Sequence, residues 1–497
     1  MRREVIFPAG TWPQLREHVL GHGADEQLAF LLAGTARGRD WQRFLVREML
    51  TVPAEGFVKQ TAAYLEVKSL FAQAVLQRTF ETGLSLIEVH SHPFSQRGVR
   101  FSALDLAHEL LRFRYVANKI PFVNHLTMVL GQADLDAHLW DRRSHRRVPI
   151  DRVRALEMPI DEMIPTSQAE SAAAGNHDSP PWVSRQVLAF GQEGQRRLQS
   201  VRVGVVGCGG TGAVVTQMLA HLGVQHLVLV DHDTVELTNL NRLVGATQAD
   251  ARAARPKVAV LRRLVRSVNP EARVVALPIS VNSSEALTAL KGLDFLFGCT
   301  DNDSSRLILN QLAVQYLIPY LDLGAGLELG ADEKLTAVGG QIRLVQPGQF
   351  CLSCIDGIDR AEAAKELMSP VARQRQVARG YVRGADLPTP AVLYLNAAVA
   401  AQAVSEFVNV WCSYRKPTPL LYMDLLATTL MPVSAKRVES CVTCGAEGVL
   451  GLGDLERLPS LGGDPAPGAV PLLTSPPEVH APLDSPTGDD AVPHLPS

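Results

Sequence analysis

Two histidines stand one residue apart in the stretch HSHPFSQRGVRFSALD, residues 90–105. The apolar run IEV precedes them and predicts a strand, on which residues two apart project from the same face. His90 and His92 therefore present two imidazoles side by side, which is half of a metal site. A serine and an aspartate, Ser102 and Asp105, follow within the same stretch and are candidates for the rest.

The stretch resembles the JAMM family of metalloproteases, also called JAB or MPN, whose motif is a distant glutamate followed by HxHP and SxxD. His90, His92, Pro93, Ser102 and Asp105 match it in order. The resemblance implies that the two histidines and the aspartate bind a catalytic Zn²⁺, which lowers the pKa of a bound water to about 7 for attack on an amide bond. It also implies that the serine hydrogen-bonds the oxyanion. The interval between HP and SxxD is slightly longer than is usual in the family.

A general base is still needed to take the water proton. The resemblance implies a glutamate on an early strand, and Glu26 in DEQLAFLLAG has the matching context. Glu88 competes for this role because it lies two residues before His90 on the same predicted strand face. An alternative for the whole region is a catalytically silent JAMM module that only docks a partner protein.

A second candidate site centres on the glycine turn GCGGTG, between a predicted strand, VRVGVV, and a helix. Such a turn lets backbone N–H groups and a helix N-terminus face phosphate. Asp231 ends the next predicted strand and is expected to bind a ribose hydroxyl. The turn by itself fits a nicotinamide-dependent oxidoreductase equally well. Its glycines are Gly207, Gly209, Gly210 and Gly212.

The segments DHDTVELTNLNRL, RPK and CTDN, with SRQVLAFGQEGQRRL upstream, resemble the adenylyltransferases that activate ubiquitin-like proteins, including ThiF and MoeB enzymes. The resemblance implies that Asn239, Arg242 and Lys257 contact the phosphates of ATP and that Asp301 binds Mg²⁺. It further implies that Arg185 reaches across a dimer interface, in either a homodimer or a pseudo-dimer. Positive charge is needed there because the reaction brings a protein carboxylate against the α-phosphate, and the two anions repel.

Two CxxC pairs match the structural zinc of the same family. Four thiolates in two short-range pairs make a closed tetrahedral site with no position for water, so this zinc is expected to stabilise the fold. The region between the pairs, ELMSPVARQRQVARGYVRGADLPTP, contains no cysteine, and Cys208, Cys299 and Cys412 are expected to be packed. We therefore predict adenylation without an internal thioester. The paired residues are Cys351, Cys354, Cys441 and Cys444.

Composition is that of an ordinary globular protein: 46% of the 497 residues are hydrophobic and 20% are charged. The formal charge of -3 argues against nucleic acid as a partner, and the sequence has no membrane-length apolar run, so we expect a cytoplasmic protein. The expected fold class is α/β: an N-terminal α+β JAMM/MPN domain, then a Rossmann-like, doubly wound parallel ThiF-type domain with a structural zinc site. The expected ranges are a JAMM domain at 1–158, a linker at 159–182, a ThiF-type domain at 183–452 and a disordered Pro-rich tail at 453–497.

Together, the two resemblances imply a bifunctional protein that cleaves a ubiquitin-like protein with one domain and adenylates the C-terminus of such a protein with the other. Zn²⁺, ATP and Mg²⁺ are the expected cofactors. The expected partners are a ubiquitin-like or sulfur-carrier protein, a conjugating enzyme and a second copy of the chain. An alternative is that the protein processes and activates a sulfur carrier for the biosynthesis of cysteine, a cofactor or a secondary metabolite. The sequence does not distinguish this pathway from protein conjugation. The linker is expected to let the first domain swing.

Overall fold

The structure is a computed structural model that describes residues 1–458, apart from positions 22, 143, 170–178, 331, 333 and 368–390. Within this part of the chain, two large β-sheets organise two units. We call residues 1–169 the N-terminal unit and residues 179–458 the C-terminal unit. Most of the predicted Pro-rich tail and most of the cysteine-free segment after Glu366 lie outside the described residues.

The N-terminal unit contains a mixed sheet in the order β11-β10-β1-β3-β2-β6-β7-β8-β9 and a separate β4–β5 hairpin. Its strands are β1 (Arg2–Phe7), β2 (Leu28–Arg37), β3 (Trp41–Thr51), β4 (Phe57–Thr61), β5 (Tyr64–Val67), β6 (Ser85–Ser91), β7 (His125–Leu130), β8 (Leu135–Asp141), β9 (Arg146–Pro149), β10 (Arg152–Ala155) and β11 (Asp161–Met163). Its helices are α1 (Thr11–Leu20), α2 (Ser69–Thr82) and α3 (Ala103–Lys119).

Both faces of this sheet are covered, which explains the nearly continuous apolar run of β2. Odd-numbered residues such as Leu31 pack with α1, whereas even-numbered residues such as Phe30 pack with α2 and α3. The strand predicted before His90 is present as β6. Neither α1 nor the β4–β5 hairpin was expected from the sequence.

The C-terminal unit alternates strands and helices up to β16. Its strands are β12 (Arg202–Val206), β13 (His226–Val230), β14 (Arg273–Leu277), β15 (Phe295–Gly298), β16 (Tyr320–Leu329), β17 (Leu335–Val345), β18 (Leu420–Asp424) and β19 (Thr429–Pro432). Its helices are α4 (Ser184–Ser200), α5 (Gly210–His221), α6 (Gln248–Arg252), α7 (Lys257–Val268), α8 (Ser284–Leu290), α9 (Asp303–Gln315), α10 (Arg360–Glu366) and α11 (Leu393–Cys412).

The sheet of this unit is mixed and not wholly parallel as predicted. Strands β14, β13, β12, β15 and β16 run parallel, and β17, β18 and β19 continue the sheet antiparallel. The reason is local: β17 returns from β16 through a short hairpin, and a short connection without a crossover helix gives antiparallel pairing. Within the described residues, no helix is both long and apolar enough to cross a lipid bilayer.

A buried cluster of charges joins the two units. Glu4 of β1 accepts hydrogen bonds from Arg43 of β3 at 3.1 Å and Arg154 of β10 at 2.9 Å. The same two arginines donate to Asp294 of the C-terminal unit, which also pairs with Arg202 at the start of β12. Glu4, Arg43, Arg154 and Asp294 are each at most 3% exposed. Separating the units would leave buried charges unpaired, so the cluster fixes one relative orientation.

A second contact is made by residues 446–456, which we call the C-terminal strap. Arg47 of β3 donates to two backbone carbonyls of the strap at 2.6 and 2.7 Å. Asp454 accepts from the backbone N–H of Arg37 at 2.9 Å and from Lys291 at 2.9 Å, so it binds both units. Gly453 and Asp454, which fall in the predicted disordered tail, therefore form part of the interface.

The predicted linker also contains structure. β11 lies inside the interval 159–182 and pairs antiparallel with β10 at the edge of the N-terminal sheet. Ile160 donates its backbone N–H to the carbonyl of Val410 on α11 at 3.1 Å. The expected swinging of the first domain on a flexible tether is thus opposed by contacts on both sides of the connection.

Candidate functional sites

The end of β6 and the start of α3 bring the predicted zinc ligands of the N-terminal unit together. Nε2 of His90 and Nε2 of His92 lie 3.5 and 3.3 Å from Oδ2 of Asp105. The three residues each offer a ligand atom within 4.8 Å of the others. β6 ends at Ser91, and His92 continues in line because its N–H bonds the carbonyl of Leu130 at 2.8 Å.

This donor set fits Zn²⁺. Ligand atoms 2.0–2.1 Å from a tetrahedral ion lie about 3.3 Å apart, which agrees with the two nitrogen-to-oxygen distances. Nε2 of His90 is buried, and it has no hydrogen-bond partner within the described residues. A buried polar nitrogen without a hydrogen bond is costly unless another group binds it. Burial alone would raise the pKa of Asp105, but His90, His92 and the N–H of Ser102 outweigh it and lower that pKa.

Glu26 and Glu88 occupy different surroundings. Oε1 of Glu26 lies 3.5 Å from Nε2 of His92, and burial raises the pKa of its carboxyl, opposed by the two histidines. The Glu88 carboxylate accepts from Nε2 of His125 at 2.8 Å and pairs with Arg112 of α3. Despite burial, these partners lower the pKa of Glu88 to about 2. Glu88 thus links α3 to the sheet, and Glu26 lies beside the predicted zinc ligands.

Ser102 forms a reciprocal N-cap with Asp105. The hydroxyl oxygen of Ser102 accepts the N–H of Asp105 at 3.1 Å, and the Asp105 carboxylate accepts the N–H of Ser102 at 2.7 Å. This capping box starts α3 and fixes the carboxylate that faces the two imidazoles. The hydroxyl proton of the serine remains able to donate, since the cap uses only its oxygen as acceptor.

A cavity of about 370 Å³ adjoins these residues. Its walls come from β2, the β4–β5 hairpin, α2, β6 and α3, and they are mainly apolar, with Leu65, Val75 and Leu86 among them. Glu26, His90 and Asp105 also line it. The cavity is therefore large enough for a short peptide segment and leads to the ligand set.

The glycine turn of the C-terminal unit is closely packed. Gly207 has φ of +85°, and a Cβ on it would lie 2.4 Å from the carbonyl oxygen of Cys299. A Cβ on Gly212 would lie 1.8 Å from the carbonyl oxygen of Gly207. Gly209 differs, because no atom lies within 4 Å of the corresponding position. The turn is thus closed towards the sheet and open on the side of Gly209.

Asp231 holds the same turn from the neighbouring strand. Its carboxylate accepts the N–H of Cys208 at 2.6 Å and the N–H of Asp233 at 2.8 Å. Burial raises the pKa of Asp231, although these N–H groups and Lys257 oppose the effect. The residue predicted to bind ribose therefore lies at the carboxyl end of β13, beside the turn at the end of β12.

The three residues predicted to contact phosphate share one small recess of about 20 Å³ with the glycine turn. Nζ of Lys257 bonds the Asp233 carboxylate at 2.7 Å, and Arg242 donates to the carbonyl of Thr238 at 2.8 Å. Backbone donors and two cations thus meet at the N-terminus of α5, an arrangement suited to an anion. The lining residues are Gly209, Gly210, Asn239, Arg242, Leu243 and Lys257.

Asp301 and Arg185 lie outside this lining. Asp301 is exposed in the turn between β15 and α9, next to Cys299, whose carbonyl packs on Gly207. Asn302 caps α9 by accepting the N–H of Ser305 at 2.8 Å. Arg185 is exposed in the first turn of α4. The structure thus brings Asp301 to the edge of the glycine turn and leaves Arg185 on the surface.

The four paired cysteines form one cluster. Sγ of Cys351 lies 4.0 Å from that of Cys354 and 3.7 Å from that of Cys441, and Sγ of Cys354 lies 3.4 Å from that of Cys444. Sulfur atoms 2.3 Å from a tetrahedral ion lie about 3.8 Å apart, so the cluster fits a structural Zn²⁺. Hydrogen bonds from Cys444 and Asn310 lower the pKa of Cys351 to about 5, whereas burial raises the pKa of Cys354 and the hydrogen bond with Cys351 raises that of Cys444.

The other three cysteines are poorly suited to nucleophilic chemistry. Burial raises the pKa of Cys412 to about 11 and raises those of Cys208 and Cys299 above the ordinary value. A thiol with a raised pKa is protonated at neutral pH and unreactive. Within the described residues, these three are the cysteines outside the four-cysteine cluster.

Sequence reasoning missed two residues that contact the sites. Asn396 of α11 is 8% exposed, accepts from the Thr211 hydroxyl at 3.3 Å and lies against Gly210. The available signal was an amide in the first turn of a largely apolar helix. Phe94 stacks on His92 with ring centroids 5.4 Å apart and is 61% exposed. The sequence shows that Phe94 directly follows His92 and Pro93, but its stacking on His92 depends on the conformation of the loop.

A glycine turn at the carboxyl end of β12, faced by cations on a Rossmann-like sheet, defines a nucleotide-binding α/β protein. The model of the ThiF family matches residues 183–443, just over half of the chain. The chain therefore belongs to the ThiF family. This match covers residues of the C-terminal unit only.

Curated relatives agree with this membership. The chain is 40% identical over 155 residues to the mouse "Adenylyltransferase and sulfurtransferase MOCS3", covering 30% of this chain and 33% of that one. It is 33% identical over 140 residues to the Bacillus subtilis "Sulfur carrier protein ThiS adenylyltransferase", covering 28% and 42%. The chain thus spans less than half the length of these relatives. A solved structure of the microcin C7 biosynthetic enzyme MccB with N-formylated MccA aligns at 17% identity and a TM-score of 0.43, over 84% of this chain and 100% of that one.

Proposed function

We propose that the C-terminal unit is an ATP-dependent adenylyltransferase that activates the C-terminal carboxylate of a ubiquitin-like or sulfur-carrier protein. The observation that carries this proposal is the shared recess of Asn239, Arg242 and Lys257 with the glycine turn. Membership of the ThiF family supports it, as do relatives that are named adenylyltransferases of sulfur carriers.

The chemistry follows from charge. Backbone N–H groups at the start of α5 bind the triphosphate, and Arg242 and Lys257 neutralise it, so that a carboxylate can approach the α-phosphate. The carboxylate oxygen forms a bond to that phosphorus, and pyrophosphate leaves. Asp231 hydrogen-bonds the ribose. Asp301 would hold Mg²⁺, which neutralises charge on the phosphates.

We favour a sulfur-carrier substrate over conjugation through an internal thioester. The carriers named with the relatives support this choice. So does the raised pKa of the three cysteines outside the four-cysteine cluster, since a thioester needs a reactive thiolate.

A second candidate function concerns the N-terminal unit. We propose that residues 1–169 form a zinc peptidase that trims or releases the same kind of carrier. The specific observation is that His90, His92 and Asp105 meet at distances suited to Zn²⁺, with Glu26 beside them. Zn²⁺ would supply a water of lowered pKa, Glu26 would take its proton, and the Ser102 hydroxyl would donate to the oxyanion.

We also propose a homodimer through the C-terminal unit. Arg185 is exposed and is not among the residues lining the recess of its own chain. In a homodimer, its positive charge would contribute to the corresponding site of the partner subunit. Leu188 and Trp182 beside it are 88% and 44% exposed, and a second copy would cover them. The four-cysteine cluster is proposed to hold a structural zinc.

The test uses zinc-loaded protein, ATP, Mg²⁺ and a ubiquitin-like sulfur carrier with a short extension after its C-terminal Gly-Gly, followed by intact mass spectrometry. The expected result is loss of the extension that requires Glu26, and an AMP adduct that requires Asp301. Glu26→Ala and Asp301→Ala variants provide the controls. An unchanged mass with normal zinc content and ATP binding would instead favour a silent docking module.

A further inference from the structure

The two proposed sites lie at strand ends that are far from the contact between the units. In the N-terminal unit, Thr35 near the end of β2 accepts the N–H of Asp454 in the C-terminal strap at 2.8 Å. Leu28 at the start of β2 pairs with His90. The seven residue steps from Leu28 to Thr35 span about 24 Å, and the strap contact of Arg47, which lies opposite Leu32 and Ala33, is about 14–17 Å from Leu28 along the strand.

β6 gives a second measure of the same separation. Ser85 at its start shares a hydrogen bond of 3.0 Å with Thr35, and His90 lies five residues further along. That length of strand is about 17 Å. The ligand set therefore projects from the end of the sheet that is remote from the strap.

The C-terminal unit repeats this arrangement. Arg202 at the start of β12 contacts the interface residue Asp294, whereas Gly207 opens the glycine turn at its other end, about 17 Å away. On α11, Asn396 contacts the glycine turn and Val410 contacts the N-terminal unit. The fourteen residue steps from Asn396 to Val410 span about 21 Å of helix.

The interface itself resists rearrangement. Glu4, Arg43, Arg154 and Asp294 are buried between the units and satisfy one another, so opening the interface would expose or unpair four charges. The C-terminal strap adds hydrogen bonds to both units through Asp454. The two sites are thus held facing away from a common contact.

We infer that one bound carrier does not pass from the first site to the second on the same chain; the trimmed carrier dissociates and binds again. Hydrolysis adds water across the amide, so that the C–N bond breaks and the carrier keeps a free carboxylate. Adenylation then consumes that carboxylate and ATP and releases pyrophosphate. The first reaction supplies the substrate of the second through solution or through a neighbouring chain. This inference rests on the proposed function.

The experiment separates the two reactions onto different chains. Glu26→Gln and Asp301→Asn variants are mixed in equal amounts and given extended carrier, ATP and Mg²⁺. The reference is wild type mixed with an equal amount of the Glu26→Gln/Asp301→Asn double variant, which matches the number of active sites and of carrier-binding surfaces. An excess of ¹⁵N-labelled carrier already ending in Gly-Gly is included, and AMP adducts of both carriers are followed by intact mass spectrometry.

The expected result is that the mixture forms the unlabelled AMP adduct within about twofold of the reference rate. In both samples the labelled carrier should dilute that adduct in proportion to its concentration. The inference would be overturned if the reference sample adenylated newly trimmed carrier tenfold faster than the mixture. It would also be overturned if the labelled carrier did not dilute the unlabelled AMP adduct in the reference sample. Failure of Asp301→Asn to trim, or of Glu26→Gln to adenylate trimmed carrier, would overturn the proposed function, and the inference with it.

Discussion

The two candidate sites differ in what forms them. In the N-terminal unit, side chains of His90, His92 and Asp105 converge from one strand end and one helix start. In the C-terminal unit, backbone N–H groups of a glycine turn form the centre, and Arg242 and Lys257 contribute from separate segments. Metal binding at a site made of side chains depends on every ligand, whereas phosphate binding at a site made largely of backbone N–H groups is distributed over many donors. Substitutions should therefore affect the two sites unequally.

The largest effect is expected from His90→Ala. Loss of one imidazole leaves two protein ligands for Zn²⁺, so carrier trimming should fall to background and bound zinc should drop from two ions to one per chain. Zinc content by atomic emission and trimming by mass spectrometry measure this. Adenylation of trimmed carrier by the same variant serves as the folding control. Retention of two zinc ions would contradict the assigned ligand set.

Glu26→Gln and Glu88→Gln separate the two buried carboxylates. Glu26→Gln should keep its zinc and lose about 10²–10⁴-fold in trimming rate, because the proton acceptor is gone. Glu88→Gln should mainly lower the free energy of unfolding, by about 1–3 kcal/mol, because Arg112 and His125 lose their charged partner. Denaturant titration measures the free energy of unfolding of each variant, and trimming assays measure its rate of carrier trimming. A reversal of the two results would make Glu88 the base.

Arg242→Ala tests the site made of backbone. Removing one cation from the recess should reduce adenylation about 10²-fold without abolishing it, since the glycine turn and Lys257 remain. Pyrophosphate exchange measures the rate. Arg252→Ala is the matched control, because Arg252 is an exposed arginine of α6 that bonds Gln248. Equal losses of adenylation rate in both variants would indicate an effect of the overall charge of the protein and not of the cation in the recess.

The smallest effect is expected from Asp454→Ala. It removes hydrogen bonds from the C-terminal strap to Arg37 and Lys291 and should lower the free energy of unfolding by about 1–2 kcal/mol. Both reaction rates should stay unchanged, since the strap is remote from both sites. Thermal denaturation beside Asp332→Ala, in an exposed hairpin, provides the comparison. A loss of trimming in Asp454→Ala would mean that the interface positions the zinc site.

Local patterns were sufficient for much of the fold. The strand before His90 and the strand-turn-helix around Gly207 depend on neighbours within a few residues, and the structure contains both. Sequence also indicated the two CxxC pairs, although only the fold brings the second pair, about 90 residues later, to the first. The mixed character of the second sheet was missed because it depends on the hairpin before β17.

The sequence by itself determined the types and order of the chemical groups, because residue spacing fixes which side chains share a strand face or a helix turn. The tertiary structure decided what those groups meet. It separated Glu26 from Glu88, since one lies by His92 and the other pairs with Arg112. It also buried four charges between the units and attached the C-terminal strap to both. Contacts between residues hundreds of positions apart arise from packing, and local spacing carries no information about them.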